Sequence, residues 1–446
     1  MADVYDRSSF IISRPTQAYT DSNFNSTIRY NLTTSSNQNG IPRNTTHSLT
    51  FEIPNHVHNG AIAPKISSTL KGGLTNFAQY KAYISGNIYF NNTKVGSITD
   101  YPQTCTLQTV LYDDRNELTS NSSSNAFSFF PLKKTNILML PDVYNESVVA
   151  APTASTGNQH EIYAAQNNLA KSGYFNADTI TAVTLTCPIP FLLETEIIPE
   201  NCMVTIELNV NSNFYRDILQ FTSGGGATDV LNIQNSGAPA DINATNNLGF
   251  KIIDSYISFN VVNIIPVPRS VPLTLKNTEL YTISHAVPGG EGAVSDTWQC
   301  TVKRGTYRIF ISFYNSTSAI DSDITKYVNP NITYLSFNFG GNQYPNTPYT
   351  NSPQDRMRAY NDLVRVTNQL DRGGFCMSYL EWTNNPIYAF DVSRAPGSVS
   401  NTLDLKIDVA NNVVGLQCFV AAQYDKEFII NYNENHQINT VTVNEV

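Results

Sequence analysis

Charged residues are scarce in this chain of 446 residues, and their scarcity limits what its surface can bind. Only 14% of the residues are Asp, Glu, Lys or Arg, against about 25% in ordinary soluble domains. The formal net charge is −9 and no Lys/Arg cluster occurs, so we expect no direct nucleic-acid binding. Asn, Ser and Thr supply the polarity instead. Such a surface suits close packing against copies of the same chain, a bias that secreted β proteins share.

The sequence also lacks targeting signals and long apolar runs. Its N-terminus, MADVYDRSSFIISRPTQ, has neither the basic start nor the apolar stretch of a signal peptide. No apolar run is long enough to span a bilayer. We therefore expect synthesis in the cytoplasm without a secretion signal.

Motifs for metal, phosphate or cofactor binding are weak. His56 and His58 would lie on the same side of a strand, a spacing used in metal sites, but no Cys-x-x-Cys, His-Glu-x-x-His or acidic partner lies nearby in the sequence. The stretch SGGGATD (223–229) lacks the Lys-Ser/Thr of a phosphate-binding loop, so a surface loop is expected there. PGGEG (288–292) and FGGNQYP (339–345) are expected to be turns.

Catalytic patterns are equally weak. A glycosidase would need a pair of carboxylates, but nothing in the local sequence distinguishes the acidic residues that are available, and all are expected on the surface. These residues are Asp113, Asp114, Glu194, Glu196 and Glu200. No Gly-x-Ser-x-Gly elbow or catalytic-cysteine signature occurs. We expect no catalytic, cofactor-binding or metal-binding residues, no cofactor and no enzymatic activity.

Tryptophan and cysteine have expected roles in packing. Trp382 precedes an apolar Pro-Ile segment and is expected to anchor a core or an interface; stacking on a sugar ring is the alternative for it and for Trp298, the other tryptophan. Six scattered cysteines without a Cys-x-x-Cys pair are expected to be buried reduced thiols. They are Cys105, Cys187, Cys202, Cys300, Cys376 and Cys418.

An order of segments occurs twice in the chain. In PIPFLLETEIIPENCMVTIELNVN (188–211) and in PIYAFDVSRAPGSVSNTLDLKIDVANN (386–412), an apolar Pro-Ile opening and a second Pro precede a strand with alternating apolar and polar residues. A further strand follows each copy, from Phe250 and from Val413. The first copy has an insertion (223–247), which is Gly- and Asn-rich and is expected to be a surface loop.

A helix is predicted before each of these segments. GNQHEIYAAQNNLAKSG (157–173) has apolar residues on one side and a Gly stop. The second helix begins with Ser352 as N-cap and Pro353 at its first position, and Gly373 ends it. Its expected buried stripe comprises Met357, Tyr360, Leu363, Val364 and Leu370.

Two similar all-β domains in tandem explain this duplication. Their joint is predicted in IIPVPRSVP, because three prolines so close together cannot occupy a central strand. The predicted division is an N-terminal arm (1–48), a first domain (49–265), a Pro-rich linker (266–272), a second domain (273–435) and a C-terminal tail (436–446).

The second half of the sequence resembles the major capsid proteins of the double jelly-roll lineage, in the branch of polintons, virophages and adenovirus hexons. The resemblance lies in the order of segments from 273 to 432. The stretches that carry it are GTYRIFISFYNSTS (305–318), NITYLSFNFGGNQYPNTPY (331–349), the helix DRMRAYNDLVRV, GGFCMSYLEWTNNPIYAFDVS (373–393), LDLKIDV and GLQCFVAA. The first half fits the pattern less well.

The resemblance implies an all-β fold of two tandem eight-stranded jelly-roll sandwiches with a short helix in each. It also implies a major capsid protein in the virion, with homotrimers as pseudo-hexameric capsomers of an icosahedral shell. Its partners would be neighbouring capsomers and minor capsid and penton proteins, and an internal membrane stays open. The alternatives are a minor component of the same shell and a two-domain jelly-roll carbohydrate-binding protein or glycan-active enzyme.

Overall fold

The structure is a computed structural model. It describes residues 5–16, 27–52, 56–58, 61–63, 71–74, 78–112, 182–188, 197–211, 219–222, 230–232, 251–264, 272–316, 327–367, 379–393, 401–435 and 437–445.

The first half of the chain contains thirteen described strands, a 3-10 helix at Ala78–Ala82 and one α-helix. They are β1 (Tyr5–Ser13), β2 (Thr27–Thr33), β3 (Gln38–Glu52), β4 (His56–His58), β5 (Ala61–Ala63), β6 (Lys71–Leu74), β7 (Tyr83–Phe90), β8 (Thr93–Ile98), α1 (Tyr101–Tyr112), β9 (Ala182–Pro188), β10 (Met203–Val210), β11 (Leu219–Thr222), β12 (Val230–Asn232) and β13 (Lys251–Ile264).

The second half contains nine described strands and two α-helices. They are β14 (Leu273–Ala286), β15 (Gly292–Thr301), β16 (Arg308–Asn315), β17 (Ile332–Phe339), β18 (Asn342–Tyr349), α2 (Pro353–Val366), α3 (Tyr379–Asn384), β19 (Ile387–Asp391), β20 (Thr402–Asn412), β21 (Leu416–Tyr432) and β22 (Ile438–Glu445).

The same antiparallel strand order occurs in both halves. In the first, one sheet has the order β1-β13-β3-β9 and the other β2-β10-β7-β8; in the second, the orders are β14-β21-β16-β19 and β15-β20-β17-β18. We call the eight strands of these two sheets the main strands of each half and number them 1 to 8 in chain order. In both halves the sheets then have the orders 1-8-3-6 and 2-7-4-5. This is the jelly-roll sandwich, so the predicted fold of two tandem eight-stranded sandwiches is confirmed.

Alternating strands form the two cores as predicted. In β10, Val204, Ile206 and Leu208 are fully buried, while the residues between them face outward or are partly covered. β20 repeats this pattern with Leu403, Leu405, Ile407 and Val409 inside. A strand with one face in a core produces this period of two, and both predicted strands are confirmed.

The structure confirms the predicted start of helix α2, but the buried residues of the helix differ from those predicted. Ser352 Oγ accepts a hydrogen bond of 3.1 Å from the backbone N–H of Asp355, as an N-cap does. The helix already ends at Val366. Ala359 and Leu363 are its buried residues, whereas Met357 is 43% exposed. Met357 is two residues from Ala359, which places it on the opposite side of a helix with 3.6 residues per turn.

The prediction of an arm over residues 1–48 is wrong, since β1, β2 and most of β3 lie there and belong to the first sandwich. The sequence pattern was obscured because β3 places the polar His47 inward, where it is 2% exposed. The predicted tail also contains a strand, β22, which pairs with β21. The linker stays a prediction, because residues 265–271 lie outside the described part.

Three further expectations need adjustment. The Pro-Ile openings are not equivalent, since β9 ends at Pro188 whereas β19 begins directly after Pro386. Within the expected surface loop of 223–247, strand β12 pairs with β11. The helix expected at 157–173 lies outside the described residues, and the described helix of the first sandwich is α1.

Candidate functional site

Helix α1 lies at the junction of the two sandwiches and contributes to both cores. Tyr101 and Cys105 belong to the apolar core of the first sandwich, while Leu107 and Leu111 belong to the core of the second. Every residue from Tyr101 to Gln108 is buried. The helix therefore joins two bodies that would otherwise have separate cores, and this junction is the candidate functional site.

Hydrogen bonds connect the start of α1 to strand β14. Thr99 and Thr104 place their hydroxyl oxygens 3.1 and 3.4 Å from the hydroxyl of Thr282. The hydroxyl of Ser284 donates to the Asp100 carboxylate at 3.3 Å. Burial raises the pKa of Asp100, although the hydrogen bond from Ser284 opposes that shift. These side chains at the start of α1 thus have hydrogen-bond partners on the other sandwich, as buried polar groups usually do.

Helix α1 covers the outer face of the β14-β21-β16-β19 sheet, that is, the face turned away from the second sheet of the same sandwich. Thr282 and Ser284 alternate with His285, whose ring stacks on Trp298 of the facing sheet at a centroid distance of 4.7 Å. Since neighbouring residues of a strand point to opposite faces, Thr282 and Ser284 point outward, toward α1. On strand β16, outward-facing Phe310 and Ser312 are each 1% exposed.

A second contact between the sandwiches comes from a three-stranded extension. The beginning of β14, the end of β21 and strand β22 pair with one another beyond the second sandwich. Leu275, Phe428 and Ile430 of this extension are buried in the core of the first sandwich. Phe428 meets Phe90 edge to face, with ring centroids 6.1 Å apart. The extension adds apolar area to the junction, which stabilises it.

A buried ion pair lies beside this extension. The Glu279 carboxylate accepts a hydrogen bond of 2.6 Å from Lys426 Nζ and one of 2.9 Å from the Tyr424 hydroxyl. The nearby carboxylate raises the pKa of Tyr424 in addition to the effect of burial. Gly96 of the first sandwich packs over the pair, because a Cβ there would lie 3.0 Å from Glu279 Oε1. The other sandwich thus covers most of the pair, in which the Lys426 and Glu279 side chains are 12% and 6% exposed.

A polar cluster lies inside the first sandwich, between its two sheets. Nε2 of His47 on β3 lies 2.9 Å from the Tyr83 hydroxyl, 3.0 Å from the Ser255 hydroxyl and 3.1 Å from the Tyr30 hydroxyl. Burial lowers the pKa of His47 to about 3. The imidazole is therefore neutral at physiological pH, and its hydrogen bonds connect strands from both sheets.

Of the candidate site residues that lie in the described part, none forms a catalytic arrangement. Glu200 is buried rather than on the surface as expected, because its carboxylate accepts the backbone N–H of Asn37 at 2.9 Å. His56 and His58 lie on β4, but their side chains fall outside the described part. Asp113, Asp114, Glu194, Glu196 and the loop 223–229 also lie outside it.

The remaining expectations about turns, tryptophans and cysteines are met where the structure describes them, except that Cys300 is only partly buried. PGGEG connects β14 to β15, and FGGNQYP turns between β17 and β18 with positive φ at Gly340 and Gly341. Trp382 is buried, and its indole N–H donates to the Ile387 carbonyl at 2.9 Å. Free thiols are present at Cys105, Cys202, Cys300 and Cys418, and the first, second and fourth are buried. Burial raises the pKa of Cys300 to about 11, which keeps it protonated.

Neither a metal-binding cluster nor a membrane-spanning helix occurs among the described residues. Within these ranges no cluster of three or more His, Cys, Asp or Glu side chains has a metal-binding arrangement. None of the helices that the structure describes combines the length and apolar character needed to cross a bilayer.

Two jelly rolls joined side by side in one chain define a double jelly-roll protein. Neither a family model nor a curated protein matches the sequence. Among solved structures, the chain is similar over 100% of its length to 89% of a chain in the cryo-EM structure of the Sputnik virophage, with a TM-score of 0.66 and 12% identity.

Two other solved structures are similar over nearly the whole chain. The mavirus major capsid protein matches with a TM-score of 0.50 and 12% identity, over 98% of this chain and 90% of that one. A chain of the PBCV-1 virus capsid matches with a TM-score of 0.52 and 8% identity, over 99% of this chain and 98% of that one. At these identities the likeness shows the fold. The resemblance to double jelly-roll capsid proteins is thus confirmed at the level of the fold.

Proposed function

We propose that this chain is the major capsid protein of an icosahedral virus and that it assembles into homotrimers, which form pseudo-hexameric capsomers. The observation that carries this proposal is the buried junction, at which α1 contributes residues to the cores of both sandwiches. Two sandwiches held side by side form one rigid unit with two similar bodies. The likeness to the mavirus major capsid protein over almost the whole chain supports the same function.

Symmetry explains why two sandwiches in one chain suit a shell. Three chains with two similar bodies each present six bodies around a threefold axis, which is close to a hexagonal outline. Closed point groups of this kind are usual for homo-oligomers. A trimer of double sandwiches therefore fills a hexagonal lattice position with a single gene product.

The role of the protein in this proposal is mechanical. The chain acts in the virion, without a cofactor and without enzymatic activity, and contacts neighbouring capsomers as well as minor capsid and penton proteins. Its surface is low in charge, which lowers the desolvation penalty of packing copies together and argues against direct binding of nucleic acid. A membrane beneath the shell is compatible with this role and is not required by it.

Size-exclusion chromatography with light scattering on the purified chain tests the proposal. We expect a mass three times that of one chain, and hexagonal particles by negative-stain microscopy. A stable monomer at micromolar concentration would contradict self-assembly.

In the part of the chain that the structure describes, neither tryptophan favours the carbohydrate-binding alternative. A sugar-binding platform requires an exposed aromatic face, but Trp382 is buried and Trp298 is covered on one side by the ring of His285. A glycan array with clear hits would restore this alternative.

A further inference from the structure

The contact between the two sandwiches of one chain is head to tail. A helix between the fifth and sixth main strands of the first sandwich, α1, covers the outer face of the 1-8-3-6 sheet of the second sandwich. Because the two contacting surfaces are different, the same contact can be repeated from one body to the next. Each sandwich carries both surfaces, so each chain retains one free copy of each.

The free helix is α2, which also follows the fifth main strand of its sandwich. Helix α1 is buried on all sides from Tyr101 to Gln108, whereas α2 buries only Ala359 and Leu363 and exposes Met357. Gln354, Met357, Asn361 and Arg365 are all exposed. Their spacing of three and four residues places them on one side of the helix.

The free sheet face is the outer face of the β1-β13-β3-β9 sheet. Ile12, Ser258 and Thr46 are in register across β1, β13 and β3. Ile12 is 61% exposed, and the other two are partly exposed. The corresponding positions of the second sandwich are fully buried, for example Phe419 and Ala421 on β21. The first sandwich thus presents a partly open face around Ile12, where the second has a covered one, although Ser48 and Val262 of the same face are buried.

We propose that α2 of one chain docks on the outer face of the β1-β13-β3 strands of a second copy of the chain. This inference rests on the proposed function and gives it an interface. Met357 and Ile12 are two of the five large apolar side chains exposed among the described residues, and one lies on each surface. The contact continues the geometry of the intrachain junction, and a closed ring of six sandwiches contains three such contacts between chains.

Opposite charges placed on the two surfaces test the pairing. Met357→Lys and Ile12→Glu should each weaken trimer association at least about tenfold, because each buries an unpaired charge at the interface. The double variant should recover association, since the two charges then face each other. The matched control is Val414→Lys, at a residue that is 63% exposed in the turn between β20 and β21. Association is measured by sedimentation on the full chain, and circular dichroism verifies folding.

Each outcome decides either the interface or the proposed function. Recovery in the double variant supports the interface, and loss in both single variants without recovery overturns the pairing. If the Met357→Lys variant forms trimers as tightly as the unaltered chain, the inference is overturned and the capsid proposal stays intact. The same holds if the Val414→Lys control loses trimer association to the same extent. An unaltered chain that stays monomeric overturns the proposed function itself. If the lysine variant does not fold, Met357→Ser at the same position gives a milder test.

Discussion

Acidification should destabilise the first sandwich through His47. In the folded chain, this imidazole lies among the hydroxyls of Tyr30, Tyr83 and Ser255, and burial holds its pKa at about 3 instead of the ordinary 6.5. A protonated imidazole there would be a buried charge without an anionic partner among these contacts. The folded chain therefore excludes the proton that the unfolded chain binds.

The size of the effect follows from proton linkage. Stability is complete above pH 6.5, where His47 is neutral in both states, and falls as the pH decreases from 6.5 toward 3 because only the unfolded state binds the proton. Each pH unit in this window removes about 1.4 kcal/mol from the free energy of unfolding. Between pH 7.5 and 5.0 the loss from this one residue is about 2 kcal/mol.

Urea unfolding at these two pH values measures the loss, and His47→Gln separates it from the titration of other groups. Glutamine keeps a hydrogen-bond acceptor for the hydroxyls but has no proton to bind in this range. The unaltered chain should lose about 2 kcal/mol more than the variant between pH 7.5 and 5.0. Equal losses in the two proteins would refute the assignment to His47.

Three further substitutions test the packing, each against a local comparison. Leu405→Asp places a charge at a fully buried position and should abolish soluble trimer, whereas Asp404→Asn on the exposed side of β20 should leave the yield unchanged. Gly40→Ala should lower the free energy of unfolding by about 1–3 kcal/mol, because the new Cβ would lie 2.7 Å from a ring carbon of Phe259. Gly290→Ala is the control and should change this free energy little, because no atom lies within 4 Å of a Cβ there. Ser352→Ala should lower the unfolding free energy by about 1 kcal/mol through loss of the N-cap, and an unchanged value in urea titration would contradict the cap.

The sequence predicted β10 and β20, whose inward residues are all apolar, although β2, which also alternates, was assigned to the arm. β10 and β20 alternate without interruption, so their period of two indicated both the strand and its buried face. Helix α2 was predicted because Ser352 and Pro353 form a strong start signal. Two similar all-β domains were predicted from the repetition of these segments and their jelly-roll fold from the resemblance, and the structure confirms both.

Elements that depend on distant parts of the chain could not be predicted in the same way. Strand β3 was missed because its inward His47 interrupts the apolar pattern and is tolerated only where hydroxyls from other strands surround it. Helix α1 was missed because a helix buried on all sides has no polar stripe to distinguish it. Asp100 directly before the helix and Pro102 at its second position are the start signals that the sequence offers. The Glu279–Lys426 pair also depends on a distant part of the chain, because Gly96 of the other sandwich packs against Glu279.

The sequence of the last main strand in each sandwich, β13 or β21, already indicates how far the outer face of its sheet is covered. In β21, the stretch CFVAA (418–422) is apolar at every position and buried on both faces, as a strand covered on both sides requires. In β13, the inward Ile257 and Phe259 alternate with the partly exposed Tyr256, Ser258 and Asn260. Within the chain, α1 covers the outer face of β21, whereas these outer residues of β13 stay partly exposed. If two copies associate as proposed, the polar residues on this face limit contact with other exposed hydrophobic surfaces, which an apolar face at this position would favour.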